Sequence, residues 1–280
     1  MWLINTDTLQ LEDILKPQAG SYAILSHTWG HGEVSFRDFA DLESAEKKLG
    51  FAKIKKTCQL ARKKFLQYAW VDTCCIDNSS SAELSEAINS MFRWYREASV
   101  CFVYLSDTWF KRGWTLQELL APRSIEFYNA DWCFLAFKIL ITDHLSDITG
   151  IDTYSLIAVD SIWSKPVGTR MRWAAERETT RLEDIAYCLL GILDINMPLI
   201  YGEGEKAFLR LQEEICRQTT DMSLFAWTRR LDHPFSCSDS YRGIFAHHPC
   251  EFADFPREAE KKDWNCESDY TKQTASSSYN

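Results

Sequence analysis

Apolar residues come along this chain first in short unbroken runs and then at helical spacing, and the two patterns alternate. Tyr22-Ala23-Ile24-Leu25-Ser26 is a compact apolar run ending in the polar, glycine-containing His27-Thr28-Trp29-Gly30, which predicts a buried strand opening into a loop. Phe51, Ile54, Cys58, Ala61 and Phe65 then recur at helical spacing, with lysines and arginines on the other face. Tyr68-Ala69-Trp70-Val71-Asp72 predicts a second strand, running into Thr73-Cys74-Cys75-Ile76-Asp77. Ser80 and Glu83 have capping-box spacing ahead of a stripe of Leu84, Ala87, Ile88, Met91, Tyr95 and Ala98. Val100-Cys101-Phe102-Val103-Tyr104-Leu105 is a third strand without alternation, as expected where helices cover both faces of a parallel sheet. A short helix around Glu118 follows, and Ile125-Glu126-Phe127-Tyr128 predicts a fourth strand.

This alternation predicts the α/β class with an open parallel sheet flanked by helices. Ligands of such sheets bind outside the carboxyl ends of the strands, where the loops 26–30, 72–77 and 106–114 converge. Residues 1–20 read as a lead-in, with a short amphipathic turn from Leu9, Leu11, Ile14 and Leu15. From about residue 135 the pattern turns helical. Thr180 and Glu183 have capping-box spacing before Leu182, Ile185, Leu189 and Ile192, and Gly202 and Gly204 precede a helix that buries Phe208, Leu211 and Ile215. The stretches 221–227 and 242–246 suggest short strand or turn pieces, and the polar end from Lys261 is expected to be disordered. The expected organisation is a sheet domain over 1–135, a helical extension over 136–220, and a partial or poorly ordered segment over 221–280.

Composition narrows the partners. With 31 basic against 40 acidic side chains the 280-residue chain carries −9, which argues against a nucleic-acid backbone as partner. No signal peptide and no membrane span are legible, and the ten cysteines lie mostly in apolar stretches, so a cytoplasmic location is expected. Neither a Gly-x-Gly-x-x-Gly nor a Walker-type loop is present.

Candidate chemistry centres on Gly113-Trp114-Thr115-Leu116-Gln117-Glu118-Leu119-Leu120-Ala121-Pro122. Leu116 and Leu120 mark its buried side, and Trp114 and Glu118, one turn apart, fall on the other. Such an acid is either ordinary surface or the working group of a site. Trp114 or Trp29 offers a face for stacking on a ring. Ser26 and His27 invite a nucleophile reading, but adjacent side chains at a strand end point apart, so Ser26 is better read as a hydrogen-bonding loop residue. Asp72 is either a functional strand-end acid or a turn cap, Asp77 reads as a cap, and Cys74 and Cys75 as packing. Cys237, His247, His248 and Cys250 lack finger spacing, and no metal is expected. Arg177 and Arg181 either bridge the extension to the sheet domain, most simply by salt bridges, or meet a phosphate. Exposed aromatic surface is expected near Trp109 and Phe110.

Four blocks taken in order resemble the heterokaryon incompatibility (HET) domain of filamentous fungi. They are Tyr22 to Gly30, Trp70 to Asp77, Ala82 to Asp107, and Arg112 to Pro122. The stretch from Trp173 through Tyr201-Gly202-Glu203-Gly204 to Ile215 resembles the helical extension that often follows this domain. Through the HET domain the chain is similar to Toll/interleukin-1 receptor (TIR) domains, which implies a flavodoxin-like sheet. The resemblance implies a role in regulated cell death at hyphal fusion or in fungal immune-type signalling. It further implies that Glu118 supports cleavage of the nicotinamide–ribose bond of NAD and that Ser26 lies where the nucleotide approaches; His27, Trp29, Asp72 and Trp114 are the further candidate substrate-binding residues. NAD or a related nucleotide is then substrate and no cofactor is required. The expected partners are further copies of the chain on activation and a receptor or another incompatibility protein. The alternative is a non-enzymatic module that self-associates and recruits. The segment between Asp107 and Arg112 is shorter than is usual in the family, and it borders the implied crevice.

Overall fold

The structure, a computed structural model, describes residues 1–230, 243–261 and Trp264. The four strands expected from the apolar runs form the middle of one sheet: β3 (Tyr22–His27), β4 (Tyr68–Trp70), β5 (Val100–Tyr104) and β6 (Ile125–Tyr128). They lie in the order β4-β3-β5-β6 and pair in parallel, with Ala23 opposite Ala69, Ser26 opposite Val103 and Phe102 opposite Glu126. Among these four the second strand lies outside the first and the third and fourth follow on its other side, the flavodoxin-like order. Every residue of β3 is buried, which explains its lack of alternation.

Helices Phe51–Lys63 and Ser81–Glu97 connect the first three parallel strands. The longer one starts where Ser80 Oγ accepts from Glu83 N and buries Ile88, Met91, Phe92, Trp94 and Tyr95. Trp70 meets Trp94 and Tyr95 edge-on, and the Tyr95 hydroxyl donates to the Leu25 carbonyl at 2.9 Å. The helix is thereby tied to the strand that carries Ser26.

Among the described residues the sheet has seven strands, because each edge gains antiparallel pairing that the periodicity did not reveal. In place of the amphipathic turn expected near the N-terminus, β1 (Trp2–Asn5) and β2 (Leu11–Asp13) form a hairpin, and β1 pairs with β4. The reason is local and long-range together. Asn5 Oδ1 accepts from the Asp7 and Thr8 amides to make the turn, while Leu3 and Ile4 find a buried place beside β4. At the other edge β7 (Phe134–Phe137) folds back on β6 through a turn in which Asn129 Oδ1 accepts from the Asp131 and Cys133 amides.

The extension docks on the sheet unit by backbone and by close contact. Gly113 N donates to Glu178 O at 2.9 Å and Glu178 N to Lys111 O at 2.7 Å. Gly191 touches Phe92 so closely that a Cβ there would lie 2.0 Å from that residue's own Cβ. Gly191→Val is therefore expected to cost about 3 kcal/mol through overpacking, read as a lower midpoint in urea unfolding. The capping box expected from Thr180 and Glu183 does not form. The Glu183 carboxylate accepts instead from the Gly202 and Gly204 amides, and the short helix there spans Asp184–Tyr187. Helix Lys206–Gln218 buries Phe208, Leu211 and Ile215 as expected.

Residues 222–225 form a 3-10 turn capped by Asp221, whose carboxylate also accepts from Val167 N. Among the described residues no helix is long and apolar enough to cross a membrane. The tail from 265 onward, expected to be disordered, lies outside the described residues.

Candidate functional site

Ser26 and His27, consecutive at the carboxyl end of β3, point to opposite faces of the sheet and so serve two separate clusters. On the Ser26 side stands helix Thr115–Leu120, which follows β5 and stops before Pro122. The helix has no free side. All six of its residues are buried, and Glu118 is only 3% exposed, where helical spacing had put it opposite the leucines that face the core. The extension covers the side that would otherwise meet water.

Ser26 Oγ donates to Glu118 Oε2 at 2.5 Å, and Trp109 Nε1 donates to Ser26 Oγ at 2.9 Å. The indole occupies a lone pair of the hydroxyl, so the serine proton is directed at the carboxyl group. Trp109 itself is fully buried, which corrects the expectation of exposed aromatic surface at this point. The short 107–112 segment makes a 3-10 turn over Trp109–Lys111 and drops the indole between Phe110 and Phe127.

Burial, reinforced by the negative charge of Asp72, raises the Glu118 carboxyl to about 8. The Ser26 hydrogen bond, the Arg177 charge and the Tyr95 hydroxyl oppose that rise without cancelling it. Two buried cations hold the helix at its ends. Arg177 Nη1 donates to Arg112 O and Thr115 Oγ1, and Lys138 Nζ donates to Leu119 O at 2.7 Å. Desolvation lowers Lys138 to about 8 and Arg177 to about 10.

On the other face, His27 Nε2 lies 3.0 Å from Asp72 Oδ1 and its Nδ1 3.2 Å from Lys53 Nζ. An ammonium only donates, so Nδ1 accepts and the ring proton sits on Nε2, toward Asp72. Trp29 Nε1 donates to Asp72 Oδ2 at 2.7 Å and leaves that ring 57% exposed at the strand ends. Lys53 is also paired with Glu33 at 2.5 Å. Asp72 thus joins the clusters, gripping His27 and Trp29 directly and acting on Glu118 through its charge. Asp72→Asn is expected to shift the titration of Glu118 downward, because a negative neighbour is removed. A pH titration of the 13C-labelled Glu118 carboxyl checks the direction.

The structure brings Ser26 and Glu118 into contact and gathers His27, Trp29 and Asp72 into a second cluster on the other face of the sheet. Trp114 goes elsewhere: its indole donates to Asp184 Oδ2 in the extension at 3.3 Å. Arg177 bridges the extension to the sheet domain as expected, but through a carbonyl and a hydroxyl in place of a salt bridge, and Arg181 lies over the Tyr201 ring. Asp77 caps its turn through Ser79, and Cys74 and Cys75 are buried free thiols. His247, His248 and Cys250 belong to no group of three metal-capable side chains among the described residues, and Cys237 lies outside them. Sequence reasoning did not find Trp109, Tyr95, Lys53 or Lys138 as site residues. The one available signal was Lys53, in the first turn of a helix that begins beside the strand ends.

At the switch point of a flavodoxin-like order, between β3 and β5, this is an α/β domain with an acid sealed beside its strand-end loops. The sequence profile named Heterokaryon incompatibility protein (HET) matches residues 22–108, and one named Domain of unknown function (DUF8212) matches residues 206–269. Over 228 residues the chain is 44% identical to Vegetative incompatibility protein HET-E-1 of Podospora anserina, a match covering 73% of this chain and 17% of that protein. The chain is a HET-domain protein. It spans about 17% of the length of the curated relative it matches. No solved structure matches. The HET match contains Ser26, His27, Trp29 and Asp72 and ends before Trp109, Trp114 and Glu118.

Proposed function

We propose that this chain is the signalling part of an incompatibility protein, acting in the cytoplasm, and that copies brought together cleave the nicotinamide–ribose bond of NAD in a TIR-like manner. The contact between Ser26 and Glu118 at the β3–β5 switch point carries this reading, since it fixes a single acid where a nucleotide meets the strand ends of such a fold. In the reaction the bond between ribose C1′ and the pyridinium nitrogen breaks and its electron pair neutralises that nitrogen. The ribose is left as an oxocarbenium ion, which water attacks at C1′ with loss of a proton. Glu118 as carboxylate stabilises that cation or holds the ribose hydroxyls, and Trp29 offers its exposed face to a ring. No metal or strong general acid is needed, because nicotinamide is already a good leaving group.

With the acid held near 8, the carboxylate is the minor form at neutral pH, about a tenth of the whole. In the described conformation the acid is therefore mostly protonated. On this reading the near-complete burial of Glu118 corresponds to a closed, resting conformation that opens when copies assemble. The same burial favours the second reading, a module that only self-associates and recruits. Nicotinamide release by purified chain, dilute and then fused to an oligomerising scaffold, separates the two. Release confined to the assembled protein supports cleavage, and none in either state leaves the recruiting module.

A further inference from the structure

We propose that β7 is a self-docking edge, at which two copies of this chain pair antiparallel along Phe134–Phe137 and join their sheets across a twofold axis. Among the described residues β7 ends the sheet and is hydrogen-bonded only to β6, so its outer backbone groups form a template for another strand. Such edges are usually blunted by an exposed lysine, a proline or an inward-pointing charge. Here the stretch 132–142 holds one charged residue, Lys138, and that ammonium is buried against Leu119 O and Pro122 O.

The surface is also apolar. Phe134, Leu135, Phe137, Ile139 and Leu140 are between 41% and 74% exposed. In a chain carrying −9, a second copy meets like charge over most of its surface, and this stretch offers contact without it. A twofold axis makes the strand its own complement. The exposed side chains set an upper limit of roughly 600 Å² per copy, about 1,200 Å² for the pair, which is the lower end for a specific interface. The contact is accordingly weak and concentration-dependent, as proximity-driven assembly requires.

An aromatic ladder links this edge to the strand ends. Phe137, Phe134, Tyr128, Trp132 and Tyr104 follow one another at ring separations of 4.9–5.9 Å, and Lys53, the partner of His27, lies 5.7 Å from the Tyr104 ring. Pairing at β7 stiffens the β6–β7 hairpin and with it the Lys53 side of the site. The proposal rests on the self-association half of the function above and not on cleavage.

The full chain, without nucleotide, is compared by sedimentation velocity at about 5 µM and about 500 µM, a range that spans weak dimers. The expected result is monomer at the lower concentration and dimer at the higher, with amide exchange across 134–137 slowed about tenfold in the dimer. Leu135→Lys with Ile139→Lys is expected to stay monomeric with an unchanged thermal midpoint, and Leu140→Glu serves where that pair folds poorly. A wild type that remains monomeric, or a dimer that survives these substitutions with 134–137 unprotected, overturns the proposal. Scaffold-forced assembly supplies proximity by other means, so its NAD assay stands or falls separately.

Discussion

Glu118→Gln is expected, on the cleavage reading proposed above, to reduce nicotinamide release by the scaffold-assembled protein about a thousandfold or more, because it removes the carboxylate proposed to stabilise the developing ribose cation. The fold survives, since an amide oxygen still accepts from Ser26. The same variant carries a signature independent of turnover. In the native protein the Glu118 carboxyl sits at about 8, whereas in the unfolded chain it titrates near its ordinary 4.5. The native state therefore binds a proton that the unfolded state has released, and stability contributed below pH 4.5 is lost as pH rises toward 8. Glutamine has no such dependence. Against the wild type the variant should be equal near pH 4 and more stable by a few kcal/mol near pH 8.5, a rise of roughly 5–10 °C in thermal midpoint. Parallel pH profiles of the two midpoints would show that Glu118 is ionised in the resting protein, and the assignment of a sealed, protonated acid would be wrong.

Trp109→Ala should be the most destabilising single change near the site, costing about 3–5 kcal/mol for the loss of a fully buried indole. Equilibrium urea unfolding reads that loss. Trp109→Phe separates packing from hydrogen bonding. It keeps most of the ring between Phe110 and Phe127 but removes the N–H that orders the Ser26 hydroxyl. Cleavage is expected to fall about tenfold in the Phe variant, and the Glu118 titration midpoint of the unassembled protein to move upward as the Ser26 bond to the carboxylate weakens. An unchanged rate and midpoint would reduce the indole to a space-filler.

The match to the HET profile stops at residue 108, yet the acid and the indole that orders its serine partner follow immediately. They reach Ser26 because the loop after β5 is short and because the extension clamps it through Glu178 and Arg177. The extension is thus part of the site's architecture. It closes the side of helix Thr115–Leu120 that an isolated sheet domain would leave to solvent.

What the sequence determined alone follows from local periodicity. Unbroken apolar runs bounded by polar turns favour buried strands, and a stripe every three or four residues favours the inner face of a helix. Hence the four central strands, their intervening helices and the convergence of Ser26, Asp72 and the Glu118 segment were legible. The outer strands were not. β1 and β7 are four-residue elements whose pairing is set by other strands, and their sequences carry no period strong enough to declare it.

The tertiary structure alone decided which groups meet. Trp109 was one aromatic among many until its loop delivered it to Ser26, and Trp114 left the site because Asp184 offered its indole a partner. The state of Glu118 was likewise hidden. A carboxyl group's affinity for its proton depends on how much water and which charges surround it, and here those come from Asp72, Tyr95 and Arg177, brought together only by folding.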